Sequence, residues 1–186
     1  MKRPGSLATL CGGLIVAGLL VRAATPPVLA GPLDRPVPAP AFTHAAAEDW
    51  LNSPPLTLAA LRGQVVLLDF WTFACWNCYR SFPWLNALEA RLHARGLRVI
   101  GVHTPEFPHE RVRASIAAKV AEFGLNHPVM IDNDGSYWNA MQNQYWPAYY
   151  LLDKQGRIRE RYAGETHAGD AQARAMEAAI LALLEE

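Results

Sequence analysis

The stretch "VVLLDFWTFACWNC", Val65 to Cys78, constrains this chain more than any other. Val65–Trp71 sets six apolar residues around one carboxylate, Asp69. Such a run reads as a strand buried on both faces. Beyond Cys75, Leu85, Leu88 and Leu92 recur at helical spacing, and Gly96 marks the stop. A strand therefore feeds a helix through a pair of cysteines. That pair has three possible uses: holding a metal, stapling the turn, or redox chemistry. A structural zinc site wants four ligands, and His103 and His109 approach the usual histidine spacing only loosely. A bridge across so short a loop restrains the unfolded chain little. Redox chemistry fits the position best. A helix start at Cys75 offers free N–H groups and partial positive charge, which favour a thiolate. Cys78, one turn on, lies within reach of a mixed disulfide formed at Cys75.

The first thirty residues change the cysteine count. Lys2 and Arg3 precede an apolar stretch, Leu7–Val21, and small residues follow at Val28–Ala30. Residues 1–30 read as a secretory signal peptide, with an uncleaved N-terminal anchor as the alternative. The apolar stretch is shorter than the ~20 residues of a spanning helix. Cys11 leaves with a cleaved signal. Cys75 and Cys78 would then be the cysteines of a periplasmic or otherwise exported chain, in a compartment where thiols tend to pair. Three of the 17 Lys and Arg residues, and none of the 17 acidic ones, lie in the first 22 positions. The rest of the chain carries a net charge of −3, which gives no footprint for nucleic acid.

"GPLDRPVPAP" opens a proline-rich linker over residues 31–45. Residues 46–186 form one domain, and the 51% hydrophobic content suffices for its core. A second strand is expected at Leu97–His103, a short one over "HPVMID", and another over Tyr145–Asp153, opening on a proline. The last pairs back through "DKQG" onto "RIRERY" as a hairpin. Val112, Ile116, Val120 and Phe123 form one helix face, and Met176, Ile180 and Leu183 form that of a closing helix. The class is α/β with a mixed sheet.

"DFWTFACWNC" resembles the active-site strand and turn of thioredoxins. "GVHTPEF" and "YWPAYYLLD" narrow the resemblance to the exported TlpA-like group, and within it to the thioredoxin-like domains of DipZ proteins. It covers Leu56 to Leu184. It implies a thioredoxin fold, a central mixed β-sheet flanked by helices, and a thiol–disulfide oxidoreductase without a cofactor or metal. Cys75 and Cys78 become the redox-active disulfide, and Asp69 the buried acid that moves a proton for Cys78. Glu106 becomes a carboxylate close to the pair, and His103 a hydrogen-bonded core residue. Pro83 matches the proline of the active-site helix. Pro147 matches the family's cis-proline loop, with the Trp146 backbone facing an incoming substrate. Trp71, Trp76, Trp146 and Pro147 form the expected substrate-binding set. The central dipeptide, Trp76-Asn77, departs from the family's usual pairs and leaves the reduction potential open.

Two carboxylates near a dithiol disfavour thiolate, so Asp69 and Glu106 together predict a reductant. The implied partners are a disulfide-bearing client protein and a membrane electron-relay protein that supplies electrons. The implied task includes cytochrome c maturation, carried out by a monomer. Two rival readings stand beside this one. Thr72, three residues before Cys75, suggests a thiol peroxidase, although Leu68 replaces the proline of that motif. Trp71, Trp76, Trp84 and Trp146 suggest a redox-inert binding module.

Overall fold

A computed structural model describes Met1 and residues 31–186. Apart from Met1, the signal segment expected over residues 1–30 lies outside the described residues. Among the described residues, seven strands form one sheet: β1 (Gly31–Pro38), β2 (Trp50–Leu51), β3 (Val65–Trp71), β4 (Leu97–His103), β5 (Val129–Ile131), β6 (Ala148–Leu152) and β7 (Arg157–Ala163). Four helices accompany them: α1 (Trp76–Leu92), α2 (Arg113–Glu122), α3 (Ser136–Ala140) and α4 (Ala171–Glu185). The sheet order is β1-β7-β6-β3-β4-β5-β2. β3, β4 and β5 run parallel, joined through α1 and α2, and β6 and β7 return as an antiparallel hairpin. This is the expected α/β architecture with a mixed sheet.

β3 lies at the centre, and all seven of its residues are buried. The pleat sends alternate residues to opposite faces. Val65, Leu67 and Trp71 join a core with Cys78, Leu85 and Leu88 of α1 and Met176 and Ile180 of α4. Val66, Leu68 and Phe70 join a second core with Trp50, Tyr137 and Tyr150. Asp69 falls, by the same alternation, on the face that α1 covers. Cys75 caps α1, its Sγ accepting from the Cys78 N–H at 3.2 Å. Asp170 caps α4 by accepting from the Ala173 N–H at 2.7 Å. Pro83 lies within α1 on its exposed side.

Three features depart from the sequence reading. Residues 31–45 are not a free linker. Gly31–Pro38 pairs antiparallel with β7, Leu33 and Phe42 pack on the second core, and His44 Nε2 lies 3.0 Å from Asp132 Oδ1. β1 is an edge strand whose register breaks between Pro32 and Val37, and such a strand tolerates prolines that cannot donate to the ladder. Val112 leaves the helix face: it precedes α2 and is exposed. β2 and α3, each five residues or fewer, carry too little periodicity to be read from sequence. Among the described residues, no helix is long and apolar enough to cross a membrane.

The α1 face carries much of the first core, so truncating it should be costly. Leu88→Ala is expected to destabilise the domain by about 2–5 kcal/mol. Denaturant unfolding of the disulfide form measures this, and a loss well under 1 kcal/mol would show that α1 does not anchor the core.

Candidate active site

The site stands where β3 ends and α1 begins. Cys75 and Cys78 form a disulfide with a Cα–Cα distance of 5.3 Å. Cys75 is half-buried at the helix cap, and Cys78 is fully buried one turn inside. The two sulfurs therefore differ in access. An outside molecule can reach Cys75, while Cys78 faces the core and Cys75.

Asp69 is enclosed on the same face, 1% exposed, and among the described residues neither carboxylate oxygen has a hydrogen-bond partner. Burial without a partner favours the neutral acid and pushes its pKa up to about 8. Tyr149 stands directly across from it on β6, and burial pushes the tyrosine hydroxyl up as well. Near neutral pH Asp69 holds a proton that it can exchange.

The second carboxylate at the site is Glu110 rather than Glu106. Glu106 is exposed, and only its backbone N–H takes part, donating to Glu110. Glu110 is fully buried and receives four donors: Thr72 Oγ1 at 2.6 Å, Ala74 N at 2.8 Å, and the Glu106 and Phe107 N–H groups at 2.7 Å each. Burial pushes its pKa up, but the bond from Thr72 and those from the Phe107, Ala74 and Glu106 amides outweigh it and leave the value below the ordinary one. Glu110 thus clamps the residues before Cys75 to the loop after β4 and stays ionised. It sits four residues past Glu106 in a short 3-10 turn, Pro108–Arg111. Its sequence signal was weak: Glu110 is the third residue past Phe107, the spacing at which a helix-capping Glu reaches back to the backbone.

His103, at the end of β4, packs edge-on to Trp71 and face-to-face with Phe73. Burial lowers its pKa to about 4 against the pull of the Glu110 charge, so it is neutral. Thr72 gives its hydroxyl hydrogen to Glu110, which leaves it without the free donor that a peroxide-binding threonine needs.

The expected substrate-binding set separates into an inner and an outer part. Trp71 is completely buried, its ring turned inward against Phe82, His103 and Phe123, so it cannot touch a client. Trp76 is 63% exposed beside Cys75 and stacks on Tyr79. Trp84 is buried, its indole N–H donating to Glu177, and is no part of an outer aromatic surface. Trp146 is partly exposed, its indole N–H donating to the Thr104 carbonyl. Pro147 is buried, and the Trp146–Pro147 bond is cis. Ala148 pairs with Phe70, so the proline loop and the cysteine loop leave the sheet at the same end of neighbouring strands.

Comparison with known proteins supports the same view of the chain. The Redoxin family profile matches residues 36–180. Protein DipZ of Mycobacterium bovis is 43% identical over 119 residues, 62% of this chain and 17% of that protein. The chain therefore spans about a sixth of DipZ. The thiol-disulfide oxidoreductase YkuV of Bacillus subtilis is 30% identical over 127 residues, 68% of this chain and 84% of that one. Among solved structures, the thioredoxin-like superfamily protein SPOA0173 superposes with a TM-score of 0.70 at 26% identity, covering 81% of this chain and 97% of that one. The fold is the thioredoxin fold.

The Asp69 environment sets a pH dependence. The folded chain holds this proton up to about pH 8, whereas the unfolded chain releases it near the ordinary value of 3.8. Stability contributed by the neutral acid is complete below the lower value and is lost as pH rises toward the higher one, by about 1.4 kcal/mol per pH unit. Asp69→Asn should remove that slope. It should leave the disulfide form more stable than the parent at pH 8 and close to it at pH 4, as read by urea unfolding. Parallel stability curves would mean that Asp69 is not held neutral.

Proposed function

The chain belongs to the Redoxin family, and on that premise we propose that it is an exported thiol–disulfide oxidoreductase that reduces disulfides in client proteins. The observation that carries this reading is the asymmetry of the pair: a reachable Cys75 at a helix cap, with a buried Cys78 behind it. The names of YkuV and of other relatives, such as the thiol-disulfide oxidoreductase ResA of Geobacillus kaustophilus, support the chemistry.

The cycle starts from the dithiol. Cys75, as thiolate, attacks one sulfur of a client disulfide, and the other client sulfur leaves as thiolate. The α1 N-terminus and the Cys78 N–H favour the attacking form. Asp69, in the ionised fraction that grows as pH approaches about 8, then takes the Cys78 proton, and Cys78 attacks Cys75 Sγ. The second client sulfur departs. Two electrons have passed to the client, and the protein holds the Cys75–Cys78 disulfide. A membrane relay protein that supplies two electrons would return it to the dithiol, and apocytochrome c cysteines are one fitting client class.

Electrostatics support the reducing direction. Glu110 keeps a negative charge against Ala74, the residue before Cys75. His103 is neutral and offers no compensating charge. Lys119, beside the Cys75 cleft, is paired with Glu122 at 2.8 Å. A thiolate formed beside Glu110 is less stable, which favours the disulfide and makes the dithiol give up electrons. The client would lie along Trp76 and the Trp146 backbone. Among the described residues, the Trp146 N–H and C=O make no hydrogen bond, so an extended segment could pair there.

The equilibrium potential of the Cys75–Cys78 couple tests the direction. A value near thioredoxin's ~−270 mV fits a reductant, and one near ~−120 mV overturns it. Glu110→Gln should raise the potential by about 30 mV or more, one tenfold step in the equilibrium being about 30 mV. No rise would remove Glu110 from the argument.

The order of attack has its own test. Cys78→Ser should accumulate mixed disulfides with clients, and Cys75→Ser should accumulate few. Equal trapping by the two variants, read on non-reducing gels, would reverse the assignment.

A further inference from the structure

A backbone edge that receives a client cannot be fixed by its own hydrogen bonds, because those groups must stay free. The side chain has to hold it. Trp146 is held in this way from two sides. Its indole N–H donates to the Thr104 carbonyl at 3.1 Å, and its ring lies against Trp138 with centroids 4.2 Å apart. Thr104 directly follows β4, and Trp138 belongs to α3, so the two supports come from different elements.

Both supports meet at one oxygen. Asp132 Oδ2 accepts from Thr104 Oγ1 at 2.9 Å and from the Trp138 N–H at 2.9 Å. Asp132 Oδ1 accepts from the Tyr137 N–H at 2.9 Å and lies 3.0 Å from His44 Nε2. Asp132 is fully buried, and Thr104 is 5% exposed. Strand pairing places them together. Asp132 directly follows β5, and its N–H donates to the His103 carbonyl, while the Thr104 N–H donates to the Trp71 carbonyl. Both therefore stand at the end of the sheet where the cysteine loop leaves. A buried carboxylate is tolerated only when its oxygens are matched, and these oxygens are matched by groups from three segments of the chain. Starting α3 accounts for the Tyr137 and Trp138 bonds alone. It does not account for the Thr104 hydroxyl, which ties the same oxygen to the residue that holds the Trp146 indole.

We propose that Asp132 and Thr104 are positioning residues for client docking. One carboxylate oxygen sets both the carbonyl that receives the Trp146 N–H and the helix residue on which the Trp146 ring rests, and this holds the Trp146 backbone open to an incoming segment. Asp132 and Thr104 touch neither client nor sulfur and act through Trp146. Their loss weakens the capture of a protein disulfide and leaves the exchange between sulfurs alone.

This inference rests on the reading of the Trp146 backbone as the docking edge, and a double-mutant cycle separates the two. The full chain is reduced and mixed with increasing insulin as the protein disulfide, or with oxidised glutathione as the small one. Formation of the Cys75–Cys78 disulfide is followed in a single turnover by acid quench and mass spectrometry. Thr104→Val should raise the half-saturating insulin concentration by about threefold to tenfold, the scale of one hydrogen bond, with the plateau rate changed by less than about twofold. Thr104→Ser keeps the hydroxyl and should match the parent. Asp132→Asn should raise the half-saturating concentration at least as far as Thr104→Val does. Thr104→Val removes only the hydroxyl and keeps the shape, so the test stays decisive if Asp132→Asn does not fold. Trp146→Ala should raise the half-saturating concentration too, and in that background Thr104→Val should add nothing. A rise with Trp146→Ala and none with Thr104→Val overturns the positioning role alone. An equal rise from Thr104→Val in both backgrounds, or a matching loss with glutathione, overturns it as well, since the effect would then not pass through Trp146. No rise with Trp146→Ala overturns the docking edge and this inference with it.

Discussion

Asp69 sits in the middle of the central strand with both oxygens enclosed and unmatched. Taking a carboxylate out of water without a partner is unfavourable enough that the group keeps its proton instead. The sheet tolerates this because the strand around it is fully buried and packed on both faces. Cys78 occupies the same face. The destabilising residue and the redox chemistry therefore share one enclosed region, as expected where a group is kept for its chemistry rather than for the fold.

Two buried carboxylates serve the site in opposite ways. Glu110 has four hydrogen-bond donors and stays charged, while Asp69 has none and stays neutral. Burial acts on both in the same direction, so the donors decide the difference. Glu110 can fix the loop before Cys75 because its charge is satisfied. Asp69 can exchange a proton because its own is not.

The sequence made the centre of this structure legible. Val65–Trp71 and Leu97–His103 form strands with the expected ends, since a continuous apolar run admits few other uses in an α/β domain. The closing helix buries Met176, Ile180 and Leu183, as its periodicity implies. The edges were harder to read. A proline-rich segment has the composition of a linker, and only the presence of β7 beside it turns Gly31–Pro38 into a strand. Trp50 and Leu51 become β2 because β5 offers an open edge, and two residues carry no period of their own.

The cysteine pair, the helix that starts at it, and the acid six residues upstream were fixed by local order along the chain: a strand, a turn and a helix cap follow from neighbours. Which carboxylate serves the loop was not local. Glu106 and Glu110 differ by one turn, and only the packing of the loop after β4 against Thr72 and Ala74 buries one and exposes the other. The fate of Trp71 was likewise tertiary. Its indole turns inward over Gly101 because the neighbouring strand leaves room there, and sequence spacing does not encode the space between strands.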